Sequence, residues 1–219
     1  MTVYAALPVK DLVNAKQRLA ALLEPAERRD LAAAMLEDVL DALQAIHELS
    51  LRIVTRDPEV LALAARRGFV CLTEQANRGH TEAVAFAQDE AARLGAPGFL
   101  TVPGDVPCVT PTELRALLAA AESGPAVVLV PSRSGFGTNA ALLVPPSAMP
   151  LKFGEPSFAN HLDAARARGL TPRVLTLPGL GLDVDAPEDL RLLLERGATT
   201  RAGRLCGARG FAARLAADR

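Results

Sequence analysis

Three aspartates are the residues best suited to chemistry in this chain: Asp105 in Val-Pro-Gly-Asp-Val-Pro, with Asp183 and Asp185 in Gly-Leu-Asp-Val-Asp-Ala-Pro-Glu-Asp-Leu. Hard carboxylate oxygens beside substrate phosphates are what Mg²⁺ prefers, so the three are read together as a candidate magnesium site. Asp105 follows the apolar run Phe99-Leu100-Thr101-Val102, which puts it at the carboxyl end of a buried strand, where open α/β sheets bind ligands. Asp183 and Asp185 are two apart, so an extended segment projects both from one face. Each motif alone also has a structural reading. An aspartate before Val-Pro shapes a turn, and Asp-Ala-Pro-Glu-Asp-Leu starts a helix with Pro187 in its first turn. Their joint occurrence in one sheet context favours the metal.

Cations stand just past the first strand-like run, where Lys10, Lys16 and Arg18 fall within nine residues. A lysine offers phosphate a point charge and an arginine engages two oxygens at once, so the three form a candidate clamp for the β- and γ-phosphates of a nucleotide. A basic surface loop is the alternative, because there is no Gly-x-x-x-x-Gly-Lys-[Ser/Thr] loop. Two glycine-bearing turns with hydroxyls follow, Ser134-Gly135-Phe136-Gly137-Thr138-Asn139-Ala140 and Phe153-Gly154-Glu155-Pro156-Ser157. Gly154 and Ser157 precede or open a helix-like run whose free N–H groups suit a phosphate or carboxylate. Ser157 as a plain helix start and Thr138 as part of a hairpin are the simpler readings.

The elements that must position these groups alternate between strand-like and helix-like runs, which predicts βαβ units and a mostly parallel sheet. Strands are expected at 2–7, 51–55, 70–73, 99–102, 126–131, 140–144 and 174–177, and helices at 25–46, 58–67, 81–94, 111–121, 156–168 and 187–196. The longest helix repeats Leu31, Met35, Val39 or Leu40, and Leu43 at helical spacing. The short connection 132–137 implies a hairpin, so the sheet is expected to be mixed. Residues 1–196 then form one domain, and 197–219, with Arg201, Arg204, Arg209, Arg214 and Arg219, is expected to be a solvated or loosely docked basic tail.

A length of 219 residues suits a single α/β domain able to bury a sizeable core. With 50% hydrophobic and 22% charged residues the chain is not a disordered one. A net charge of −1 argues against a general nucleic-acid or anionic-membrane binder while leaving room for a local basic pocket. Cys71, Cys108 and Cys206 are odd in number and far apart, so neither a disulfide framework nor a zinc pattern is expected, and a reducing cytoplasm is the natural setting. The apolar run at 1–8 is too short for a signal peptide, and no stretch approaches a membrane span. A homodimer is compatible with this size class.

The ordered set Pro8-Val9-Lys10 to Ala15-Lys16-Gln17-Arg18-Leu19, Pro103-Gly104-Asp105-Val106-Pro107, Gly137-Thr138-Asn139, Phe153-Gly154-Glu155-Pro156-Ser157 to His161, and Leu182-Asp183-Val184-Asp185-Ala186-Pro187-Glu188-Asp189-Leu190 resembles the guanylyltransferases of coenzyme F420 biosynthesis, which act on 2-phospho-L-lactate, phosphoenolpyruvate or 3-phosphoglycerate. The resemblance runs from about Val3 to Leu194 and leaves the arginine-rich tail outside. It implies a single-domain Rossmann-like mixed α/β sheet of the nucleotide-diphospho-sugar-transferase type. It also implies a Mg²⁺-dependent transfer from GTP to a small phosphorylated acid, with release of pyrophosphate. Asp105, Asp183 and Asp185 would hold the metal, Thr138, Gly154 and Ser157 the acid, and Lys10, Lys16 and Arg18 the nucleotide phosphates, with Asp105 and Lys16 as the catalytic pair. His161 would orient the acid-binding loop.

One departure stands at Asn77-Arg78-Gly79-His80-Thr81, where the family is expected to show Gly-Leu-Asn before a helix. His80 there is read either as a substrate contact or as a loop residue satisfied by backbone. Two rival functions remain open: a nucleotidyltransferase for a sugar phosphate or molybdopterin, and a non-catalytic nucleotide-binding module that kept the fold. A dinucleotide oxidoreductase is disfavoured, since no Gly-x-Gly-x-x-Gly follows the first strand.

Overall fold

In the computed structural model, residues 2–73, 79–121 and 124–217 are described. The polypeptide forms one seven-stranded mixed sheet in the order β3-β2-β1-β4-β6-β5-β7. The strands are β1 (Val3–Pro8), β2 (Leu49–Val54), β3 (Val70–Leu72), β4 (Phe99–Thr101), β5 (Ala126–Pro131), β6 (Thr138–Val144) and β7 (Arg173–Val174). Strand β1 is buried on both faces, Val3, Ala5 and Leu7 packing into one core and Tyr4 and Ala6 into the other. Such a strand reads as an unbroken apolar run, as expected of a central parallel strand. The expected hairpin is present: β6 runs antiparallel to β5 and also to β4, whereas β1, β2, β3 and β4 are mutually parallel and β7 is parallel to β5.

Helices cover both faces. The helices α3 (His80–Arg93) and α5 (Ser157–Arg166) cover one face, and α1 (Pro25–Gln44), α2 (Pro58–Arg67), α4 (Pro111–Ala119), α6 (Pro187–Arg196), α7 (Arg201–Ala208) and α8 (Phe211–Ala217) the other. Local chemistry explains their starts. Pro25, Pro58, Pro111 and Pro187 each occupy a first turn, where a missing N–H costs nothing. The Asp57 carboxylate accepts from the Glu59 and Val60 amides to cap α2. Strand β7 is shorter than its apolar run because the Leu177 carbonyl accepts from the Gly181 amide at 2.7 Å and turns the chain towards Asp183.

The carboxyl-terminal segment is more firmly packed than the solvated or loosely docked tail expected from its arginines. Its apolar residues Ala202, Cys206, Phe211 and Leu215 are buried in the same core as α1. Asp38 of α1 accepts from the Arg201 and Ala202 amides at 2.8 and 2.9 Å, placing a carboxylate at the positive end of α7. Arg201, Arg209 and Arg214 pair with Asp41, Asp30 and Glu27 of α1. The arginines therefore fasten two amphipathic helices to α1. Among the described residues, no helix is long and apolar enough to cross a membrane.

Candidate functional site

Strand order reverses at β1, whose neighbours β2 and β4 lie on opposite sides, and a crevice opens there beyond the strand carboxyl ends. A cleft of about 430 Å³ lies at this point, lined by residues that include Lys10 and Lys16 after β1, Gly104 and Asp105 after β4, and Asp185. The loop after β1 is pinned by its neighbours: the Leu12 amide donates to Asp57 Oδ2 at 2.9 Å. Gly104 lies beside α1, where a Cβ would make an ordinary contact of 3.4 Å with Leu36 Cδ1.

Lys16 is the centre of the cluster. It adopts the left-handed conformation at φ 56°, the only non-glycine residue to do so among the described residues. Its ammonium donates to Asp105 Oδ2 at 2.7 Å and to Asp185 Oδ1 at 2.8 Å. Burial alone would lower the Lys16 pKa, but the two carboxylates outweigh it and the net shift is upward. Asp183 faces the same region. Leu182 and Val184 are buried while the residues on either side of Val184 are not, so the extended alternation holds locally. The Val184 amide donates to the Asp105 carbonyl at 3.0 Å, locking the two aspartate segments together. Burial, with lesser help from Asp105 and Asp185, raises the Asp183 pKa, while the Asn139 amide, 3.0 Å from its Oδ1, opposes the rise.

Whether magnesium suits these residues turns on what they offer. Asp105 Oδ1 is buried with no hydrogen-bond partner, and Asp105 and Asp185 already share a cation, the Lys16 ammonium. Hard oxygens with an unsatisfied member fit a divalent ion in chemistry. They are not assembled as a ligand set: among the described residues no three His, Cys, Asp or Glu side chains gather around one metal position.

The hydroxyl pair lies on the adjacent strand. A bulge in the hairpin pairs Val130 with Ala140 but Pro131 with Thr138, leaving Asn139 as the extra residue. Asn139 thereby faces the aspartates, donating to Asp183 and to the Leu180 carbonyl, while Thr138 faces α5. Ser157, the first residue of α5, accepts the Thr138 amide at 3.0 Å through Oγ. Thr138 Oγ1 lies 2.9 Å from His161 Nδ1. Gly154, at φ 106°, makes the preceding turn in a conformation suited to glycine.

Other expected residues fare differently. Lys10 lines the cleft and also a smaller recess with Thr55, Arg56, Gly79 and His80. Arg18 is exposed on a short 3-10 turn and is not among the residues lining either opening. Asn77 and Arg78 lie outside the described residues. His80 is no loop residue satisfied by backbone. It opens α3, meets Phe153 edge-on with centroids 4.6 Å apart, and burial takes its pKa down to about 4. Two contributors were not singled out by sequence. Thr81 Oγ1 sits 3.2 Å from the Phe153 carbonyl and 3.0 Å from the Phe153 amide, clasping the Gly154 turn to α3, and Asn139, next to Thr138, donates to Asp183. The Gly-His-Thr departure and the Thr-Asn pair were their only traces in the sequence.

Comparison with known proteins identifies the family of the chain. A family model described as guanylyl transferase CofC like matches residues 3–213. The phosphoenolpyruvate guanylyltransferase of Sphaerobacter thermophilus is 46% identical over 195 residues, covering 88% of this chain and 93% of that protein. The 2-phospho-L-lactate guanylyltransferase of Methanothermobacter thermautotrophicus is 38% identical over 205 residues, covering 92% and 88%. Among solved structures, a Desulfovibrio desulfuricans G20 protein provisionally described as a nucleotide-diphospho-sugar transferase superposes with a TM-score of 0.79 at 17% identity, covering 98% of this chain and 97% of that one. A nucleotidyl transferase from Methanothermobacter gives 0.69 at 17% identity, covering 91% and 99%. These structural likenesses establish the fold.

Proposed function

We propose that this chain, which belongs to the guanylyl transferase CofC-like family and is a nucleotidyltransferase, moves the GMP unit of GTP onto the phosphate of a small phosphorylated acid and releases pyrophosphate. Phosphoenolpyruvate and 2-phospholactate, the acids in its relatives' names, are the first candidates, with 3-phosphoglycerate beside them. The observation that carries this reading is the position of Asn139. Asn139 donates to Asp183 beside the cation-and-carboxylate cluster suited to a nucleotide's phosphates, and its chain neighbour Thr138 belongs to a hydroxyl pair suited to an anion.

A phosphate monoester has its second pKa near about 6, so the acid arrives largely as a dianion and needs no general base. Its oxygen forms the new bond to the α-phosphorus of GTP while the bond to the β-phosphate oxygen breaks and pyrophosphate leaves. Catalysis is then positioning and charge neutralisation. Lys10 and Lys16, which line the cleft, would take up charge on the β- and γ-phosphates, and Lys16, already desolvated, would exchange its carboxylate partners for phosphate oxygens. Asp105, Asp183 and Asp185 are the residues that would hold Mg²⁺, which when bound supplies charge stabilisation at the phosphates. Thr138 and Ser157 hold the acid: each hydroxyl oxygen already accepts or can accept a bond, which leaves its hydrogen to donate.

The test crosses GTP, ATP, CTP and UTP with the three acids in magnesium buffer and follows pyrophosphate, with mass spectrometry of the product. A guanylylated acid formed with GTP and lost in Asp105→Asn is the expected result. Turnover confined to another nucleotide or another acceptor would replace this reading.

A further inference from the structure

His161, the fifth residue of α5, is buried, with 1% of its surface exposed. Both of its ring nitrogens are engaged. The Lys152 amide lies 2.9 Å from Nε2, and Thr138 Oγ1 lies 2.9 Å from Nδ1. A peptide N–H can only donate, so Nε2 must accept and carries no proton. Burial takes the ring's pKa down to about 4, so near neutrality the ring keeps one proton, and that proton resides on Nδ1. Nδ1–H therefore donates to Thr138 Oγ1. Phe153 meets the imidazole edge-on, with centroids 5.1 Å apart, and holds the ring in place.

We propose that His161 is a positioning residue whose fixed tautomer makes Thr138 a dedicated hydrogen-bond donor to an anionic oxygen of the phosphorylated acid. With a lone pair of Oγ1 occupied by the imidazole, the threonine hydrogen is directed away from His161. Ser157 is committed in the same sense, since its Oγ accepts the Thr138 amide. Two such hydroxyls greet an anion with hydrogens, whereas a free rotor can also present a lone pair that repels it. The inference rests on the reaction proposed above.

Two substitutions separate positioning from packing. The side-chain amide of His161→Asn reaches the Nδ1 position and can still donate to Thr138. That of His161→Gln reaches the Nε2 position, keeps an acceptor for the Lys152 amide and loses the donor. His161→Gln should raise KM for the acid about ten-fold, while KM for GTP stays within about two-fold. His161→Asn should stay within about three-fold of the native enzyme for the acid, and His161→Gln should add nothing further in a Thr138→Val background. Equal effects of the two variants, or an effect confined to GTP, would overturn the assignment. A ¹⁵N–¹H correlation spectrum of the native imidazoles near neutral pH gives a substrate-free answer. A proton on Nδ1 of His161 supports the proposal and a proton on Nε2 defeats it, even if neither variant folds. Failure of the proposed reaction is a separate event, seen as silence of the native enzyme with every acid.

Discussion

Replacing Lys16 with methionine removes the charge that holds two carboxylates together and keeps most of the side chain's volume. The Lys16 side chain is 6% exposed, and its partners Asp105 and Asp185 are 29% and 43% exposed. Removing one partner of a fully buried pair costs about 3–5 kcal/mol. Here both carboxylates can rehydrate, so most of that penalty is recovered and about 1–2 kcal/mol is expected. For a chain of this size that lowers the melting temperature by about 2–8 °C. A second change, Asp105→Asn, removes the stranded charge and should restore about 1 kcal/mol, a coupling that independent sites would not show. If the freed carboxylates take up magnesium in the folded state alone, it should raise the melting temperature of Lys16→Met more than that of the native protein. Turnover should fall by roughly 10²–10³, the weight of one preorganised charge at a reacting phosphate. Thermal melts with and without magnesium, read beside pyrophosphate release, test all of this. If Lys16→Met melts within about 1 °C of the native protein and keeps its turnover, the central role given to the Lys16 ammonium is refuted.

Three further outcomes are expected. Ser157→Ala removes a donor and the acceptor of the Thr138 amide, and should raise KM for the acid more than KM for GTP in initial-rate kinetics; an effect on GTP alone contradicts the assignment. His80 and His161 have folded pKa values near 4, below the ordinary 6.5, so the unfolded chain binds more protons between those values and stability falls as pH drops through them. From pH 7 to pH 5 the loss is up to about 2 kcal/mol for each histidine, measurable by urea unfolding, and a flat profile would show that the rings are not held neutral. Phe211→Ala opens a cavity where α8 meets the core and should cost about 3–5 kcal/mol, so melting within about 2 °C of the native protein would mean that the carboxyl-terminal helices are not part of the fold.

The α/β alternation, the mixed sheet and the turn after β4 bearing Asp105 were legible in the sequence, because apolar period, proline helix starts and the short 132–137 connection are local signals. So was the alternating exposure around Asp183 and Asp185, which follows from backbone geometry alone. The firm packing of the tail was not legible because its five arginines were weighed as charge, while Ala202, Cys206, Phe211 and Leu215 between them bury as two short amphipathic helices. Only the tertiary structure decided how the chemical groups meet. Lys16 reaches Asp105 and Asp185 across 89 and 169 residues, and Arg18, two positions further on, is left outside the cleft. The bulge at Asn139 turns Thr138 towards His161 and Asn139 towards Asp183, whereas strict alternation would place Thr138 on the face of Ala140. The sequence determines which side chains each element carries and at what period. Which of them share a proton or a charge depends on where the strands pair, and that is fixed by the packing of the whole sheet against its two layers of helices.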